Sequence, residues 1–172
     1  RYRKSHLDAM QSALAVIDET DRKFAAAFGR SYGGLIEEYR CDDAEVVIVT
    51  IGGMTGAGKD AVDAAREHGI RAGLVKIRFY RPFPAKRLAA ALGGKKAFCV
   101  VDRSVCFGWD RGPMYVETCA ALEDLSGTAR FSAIGGLGGA DISVADMAGI
   151  IDCLNEIKDK PGEYETRWLM KD

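Results

Sequence analysis

The sequence predicts an α/β fold of three layers, with helices covering both faces of a mostly parallel sheet, and three observations carry that prediction. Apolar runs of strand length alternate with stretches of helical spacing. The inner runs are nearly continuous rather than alternating, as strands buried on both faces require. Loops marked by glycine or proline follow four of these runs, at residues 52–58, 80–84, 102–113 and 135–141. They therefore gather at one edge of the sheet, which is where function is expected.

A chain of 172 residues is long enough for one domain with a sizeable core. Its 24 basic and 25 acidic side chains nearly cancel, which argues against a nucleic acid or a membrane as partner. No apolar run has the length of a membrane span and no secretory signal opens the chain. The first residue is Arg1 rather than Met, which suggests a fragment or a processed product. Cys41, Cys99, Cys106, Cys119 and Cys153 are odd in number, scattered and without a C-x-x-C pair. That is the pattern of reduced thiols in a cytoplasmic protein, not of an iron–sulfur ligand set. Cys99 sits in an apolar run and reads as core; Cys106, in a glycine-bounded loop, reads as the more exposed. His6 and His68 both fall on helical patterns, so a histidine metal site or triad has little to work with.

Residues 1–30 read as an N-terminal amphipathic helix of about six turns. Leu7, Met10, Leu14, Ile17, Phe24 and Phe28 make its stripe, Asp21 interrupts it, and Gly29 ends it. The stripe packs either on this domain or on a neighbour. Residues 31–160 form the α/β domain. Its first strand, residues 35–40, carries charges, which favours an edge position. Asp42, Asp43 and Glu45 in the next turn read as a solvated cluster rather than metal ligands. Residues 45–51 are the central strand, followed by the turn of Gly52, Gly53, Gly56 and Gly58 and a helix whose Ala57, Ala61, Ala64 and Ala65 allow close packing. Gly69 closes that helix.

A second inner strand spans residues 72–79, and Arg81-Pro-Phe-Pro84 then forces an extended exit before a helix over residues 85–92. Residues 96–102 are the next buried strand, with a loop from Asp102 to Pro113 and a helix over residues 114–125. The last strand, residues 129–134, leads into a glycine loop. Ser143 is placed as N-cap with Asp146 in the capping-box position, and Val144, Met147, Ile151, Leu154 and Ile157 form the inward stripe. Pro161-Gly162 breaks this helix. Residues 161–172 form a C-terminal tail whose Trp168, Leu169 and Met170 are too apolar for a linker, so it is expected to dock on a surface, its own or another subunit's.

Several residues of the functional edge invite chemical readings. Gly53-Met-Thr-Gly-Ala-Gly58-Lys59 has the spacing of a phosphate-binding loop in the right strand-to-helix context. Asp60 stands where a magnesium-holding Ser or Thr is needed, and a carboxylate there repels phosphate. Gly56-x-Gly58-x-x-Ala61 half-matches a dinucleotide fingerprint, yet no acid stands about twenty residues on to take a ribose hydroxyl. A structural turn is the favoured reading. Arg78 and Arg81 suit either an anion or a structural ion pair, and the ion pair is favoured. Asp102, Arg103, Trp109, Gly138 and Asp141 complete the candidate interface or ligand edge. Trp109 is either a lid on the domain's own core or an anchor for a partner. No residue is assigned a catalytic, cofactor-binding or metal role.

Taken together, AEVVIVTIGGMTGAGKDAV, GLVKIRFYRPFPAKRLAAAL, FCVVDRSVCFGWDRGPMYVE and IGGLGGADIS are similar to core domain II of the alpha subunit of 2-oxoacid:ferredoxin oxidoreductases, the pyruvate:ferredoxin oxidoreductase group. RPFP and VDRS…FG are the most specific of these motifs, and the resemblance spans residues 1–158. It implies a transketolase C-terminal-domain-like fold: a five-stranded sheet of order 1-3-2-4-5 with strand 1 antiparallel, a role that residues 35–40 fit. It also implies an anaerobic holoenzyme with thiamine diphosphate, magnesium and iron–sulfur clusters that oxidatively decarboxylates a 2-oxoacid. Electrons go to ferredoxin, and the acyl group usually goes to coenzyme A. In such an enzyme this domain holds no cofactor and is structural, organising contacts with other domains or subunits. The chain departs from the family pattern at Ala140, where Arg is usual, and at Gly108-Trp-Asp-Arg-Gly112, where a plainer glycine loop is usual. The alternative is an independent small-ligand or nucleotide-binding module using the loop from Gly53 to Lys59.

Overall fold

A computed structural model of the chain describes residues 1–170. Five strands and five helices follow one another as the sequence predicts, and two short strands that it does not predict end the described residues: α1 (Tyr2–Phe28), β1 (Ile36–Tyr39), β2 (Val46–Ile51), α2 (Thr55–Glu67), β3 (Ala72–Ile77), α3 (Ala85–Leu92), β4 (Ala97–Asp102), α4 (Pro113–Ala121), β5 (Ala129–Gly135), α5 (Val144–Ile157), β6 (Gly162–Glu163) and β7 (Arg167–Leu169). The first five strands lie in the order 1-3-2-4-5. β2, β3, β4 and β5 pair in parallel, and β1 runs antiparallel against β3, with Glu37 opposite Lys76.

The near-continuous apolar strands are buried on both faces because helices cover both. On one side Val46, Ile48, Leu74, Cys99 and Phe131 meet α2 through Ala61, Val62 and Ala65, and α5 through Met147, Ile150, Ile151 and Leu154. On the other, Val47, Val49, Val75, Ile77, Phe98 and Val100 meet α3 through Leu88 and Leu92, and α4 through Met114 and Tyr115. Gly58 lets α2 lie this close: a Cβ there would come within 2.6 Å of Leu74 Cδ1. Ser143 and Asp146 form a complete capping box at the start of α5.

One detail differs from expectation. The helix expected over residues 114–125 stops at Ala121, where Leu122 turns extended and the Asp124 carboxylate accepts the Ser126 N–H at 2.8 Å, a local turn that competes with helix. The tail lies on this domain's own sheet, where β6 and β7 both pair in parallel with β5 and widen the five-stranded sheet to seven. Lys171 and Asp172 of that tail lie outside the described residues. Finally, no residue of α1 is buried. Its last turns are held by Asp18 and Asp21, which face Arg87 and Arg78 at 3.6 Å, while Tyr2, Leu7 and Val16 stay exposed.

Candidate functional site

All four glycine- or proline-marked loops leave the carboxyl ends of parallel strands and meet along one edge, as the strand order requires. There an open cleft of about 570 Å³ lies between the 3₁₀ turn Gly52–Met54 that enters α2 and the loop that enters α5. Gly53, Met54, Arg103, Ala140, Asp141 and Ser143 are among its walls, and Gly138 stands next to it in the chain. Of the sequence-predicted residues, the cleft therefore gathers Gly53, Arg103 and Asp141.

Most of the charged residues among the other predicted ones are used by the fold. Lys59 turns away from the cleft: its ammonium pairs with Glu37 on β1 and lies 5.1 Å from the centre of the Tyr39 ring. A loop whose lysine is held by the opposite edge strand does not present it to a phosphate. Thr55, at the start of α2, shares a buried hydroxyl contact of 3.0 Å with Thr50. Gly56 faces open space, so nothing in the packing demands a glycine there. Arg78 bonds Gly34 O at 3.3 Å and lies 5.4 Å from the Tyr32 ring, joining the end of β3 to the turn before β1. Arg81, ahead of a cis peptide bond to Pro82, holds Glu117 of α4 with two bonds of 2.7 Å and stacks 4.3 Å from the Tyr80 ring. The Arg81 bonds hold the Glu117 carboxyl below its ordinary range, while burial, helped by Glu117, raises the Tyr80 hydroxyl to about 12. Both arginines make ion pairs, the reading the sequence favours.

Asp102 ends β4 and is buried. Its two oxygens accept the N–H groups of Met114 and Tyr115 at 3.0 Å each, satisfying the open first turn of α4. Burial raises this carboxyl to about 6, against the pull of the two N–H bonds. Gly112 packs flat against it, since a Cβ would fall 2.1 Å from Asp102 Oδ2. Arg103, one residue on, is exposed and gives its guanidinium to Gly136 O at 3.3 Å. Trp109 is 57% exposed, so it is no lid on the core.

Sequence reading missed the brace around that tryptophan. Arg111 bonds Glu163 and Thr166 of the tail at 2.8 and 2.9 Å, Thr166 bonds Asp110 O at 2.6 Å, and Trp168 Nε1 donates to Asp110 Oδ1 at 2.9 Å. The partners lie more than fifty residues apart, and no local pattern marks such pairs. Phe107, fully exposed beside Gly108-Trp109, could have been read from its place in the loop.

For metal chemistry the described residues offer little. Among them, no group of three or more His, Cys, Asp or Glu side chains is placed to hold a metal ion. Cys41 and Cys99 are buried on opposite sides of the sheet. No helix among the described residues is long and apolar enough to cross a membrane.

Comparison with known proteins finds relatives over most of the chain. The alpha subunit of an NADH-dependent phenylglyoxylate dehydrogenase from Aromatoleum evansii is 52% identical over 153 residues, covering 88% of this chain and 37% of that one. Pyruvate synthase subunit PorA of Methanosarcina barkeri is 37% identical, covering 88% and 38%, and ketoisovalerate oxidoreductase subunit VorA of Pyrococcus abyssi is 33% identical, covering 87% and 38%. The chain thus spans less than two-fifths of these relatives. A 2-oxoglutarate:ferredoxin oxidoreductase from Magnetococcus marinus, solved with 2-oxoglutarate, coenzyme A and succinyl-CoA bound, shares the fold at a TM-score of 0.54 and 18% identity, over 72% of this chain and 19% of that one. The family described as pyruvate:ferredoxin oxidoreductase core domain II matches residues 44–147, from the turn before β2 to the first turn of α5. The chain belongs to that family.

Proposed function

We propose that this chain is the transketolase C-terminal-like part of a cytoplasmic, thiamine-diphosphate-dependent 2-oxoacid:ferredoxin oxidoreductase, where it organises contacts between domains and subunits and is inactive alone. In the whole enzyme, thiamine diphosphate with magnesium supplies the carbanion chemistry that releases carbon dioxide from the 2-oxoacid. Iron–sulfur clusters would carry the electrons to ferredoxin, and coenzyme A would take the acyl group. None of these steps is assigned to residues of this chain.

The observation that carries this reading is the use of the edge charges. Lys59, Arg78, Arg81 and Asp102, the residues that sequence alone offers to a ligand, are held by Glu37, Asp21, Glu117 and the first turn of α4. A second observation supports it. The relatives that share this domain are named for phenylglyoxylate, pyruvate and ketoisovalerate, and one for NADH, so what they share is not the choice of one 2-oxoacid or acceptor.

Thermal melts with ATP, coenzyme A or thiamine diphosphate test the proposal against a nucleotide-binding module. A ligand selective for the folded state stabilises it by about 2.7 kcal/mol at a hundredfold excess over Kd. A structural domain is expected to show no shift. A rise with ATP that Lys59→Ala abolishes would favour the module instead.

A further inference from the structure

Among the described residues, every hydrogen bond that residues 104–111 make outside their own loop goes to the C-terminal tail: Arg111 to Glu163 and Thr166, Thr166 to Asp110 O, and Trp168 to the Asp110 carboxylate. The Arg111 guanidinium also lies 5.9 Å from the Tyr115 ring of α4. Inside the loop, Cys106 N–H bonds Arg111 O at 2.8 Å, Trp109 N–H bonds Cys106 O at 3.0 Å, and Arg111 N–H bonds Trp109 O at 2.8 Å. The foot of the loop is held separately, since Gly112 N–H donates to Ser132 Oγ of β5 at 3.2 Å and Gly112 packs against Asp102.

The tail, in turn, leans on the sheet and not on the loop. Gly162 N–H donates to Thr128 O at 3.3 Å and Tyr164 N–H to Arg130 O at 2.8 Å. Arg167 reaches Gly149 O of α5 at 2.8 Å, and Leu169 lies against Gly135, where a Cβ would come 2.9 Å from Leu169 Cβ. Support therefore runs from sheet to tail to loop. The grip of the tail is slight. β6 and β7 pair with β5 over two and three residues, Glu163, Glu165, Arg167 and Trp168 are exposed, and Trp168 and Met170 face Leu137 across a hollow of about 200 Å³. Exposed hydrogen bonds and few buried contacts mark a segment that opens locally without global unfolding. Beneath it, Phe131, Ala133 and Ile134 of β5 are buried, so the sheet has its own hold.

We propose that the tail is a releasable strap on the carboxyl edge. With β6 and β7 on β5 the loop from Arg103 to Gly112 is ordered; when they lift away the loop is freed, while the sheet and its helices stay folded. The loop carries Phe107, wholly exposed, and Trp109, more than half exposed, and it begins at Arg103 on the cleft wall. The strap thus decides whether this edge presents those groups in one arrangement or in many.

The test uses the full chain and hydrogen exchange, which reports local opening along the backbone. The double variant Thr166→Val, Trp168→Phe removes the tail's bonds to Asp110 and leaves the loop's own residues in place. Exchange at the N–H groups of Cys106, Trp109 and Arg111 is expected to quicken about tenfold or more, with β2 and β4 exchanging as in the parent chain. Unchanged exchange in the loop overturns the strap. So does an acceleration that extends equally to β2 and β4, because the tail would then open only with the whole fold. In the reverse direction, Arg111→Ala removes the loop's bonds to Glu163 and Thr166. Tyr164 N–H is expected to stay as protected as in the parent chain, and loss of its protection would make the loop the support of the tail and overturn the proposal.

Discussion

Asp102 shows how a residue on a functional edge can belong wholly to the fold. Its place after a buried strand made it a candidate, but its partners are backbone N–H groups beyond a long loop, and sequence carries no sign of them. Gly112 is the companion that permits the contact. We expect Gly112→Ala to push the carboxylate off the first turn of α4 and to cost about 1–2 kcal/mol, the usual worth of a cap, read as a lower melting temperature. An unchanged melt would show that the carboxylate contributes nothing as a cap. Arg81 stands at the opposite limit. Its pair with Glu117 is half exposed, so Arg81→Ala is expected to cost less than about 1 kcal/mol in a denaturant titration despite the bidentate geometry.

At the scale of elements, the inner strands were legible because helices on both faces leave no room for polar residues, so each strand writes itself as an apolar run. The charged strand β1 was legible for the converse reason, lying at the edge against β3. The tail strands were not. Two- and three-residue pairings leave no periodic trace, and β6 and β7 exist because β5 offers a free edge. The helix α1 was legible as a helix but not in its packing. At about 1.5 Å per residue its 27 residues reach about 40 Å, and none is buried. Deleting residues 1–14 is therefore expected to move the melting temperature by less than about 2 °C, since exposed changes fall within about 0.5 kcal/mol. A larger fall would mean that the exposed half of α1 supports the fold.

For the whole molecule, two carboxylates set opposing trends with pH. Glu45, at the amino end of β2, is bonded by Lys96 and Lys158 at 2.9 Å and by Arg71 at 2.5 Å, and these cations, Lys96 foremost, lower its carboxyl to about 2. The folded state then binds fewer protons than the unfolded, so the stability Glu45 gives above its ordinary range is lost as pH falls from about 4.5 toward 2. Asp102, raised to about 6 by burial, acts in the other sense: the folded state keeps its proton longer, so stability falls as pH rises from about 4 to 6. Urea titrations over this range should show Asp102→Asn flattening the upper trend and Glu45→Gln the lower. The resemblance in four motifs made the family legible, and the match over residues 44–147 confirms it. What this domain does within a larger enzyme depends on surfaces that only a partner completes.

The most direct measurement is therefore 2-oxoacid-dependent reduction of a viologen dye, with coenzyme A present, by this chain alone and by the complex that purifies with it. The account predicts no reduction by the chain alone and turnover by a complex containing a thiamine-binding domain. Turnover by the isolated chain, or a purified chain that carries no such partner, would contradict it.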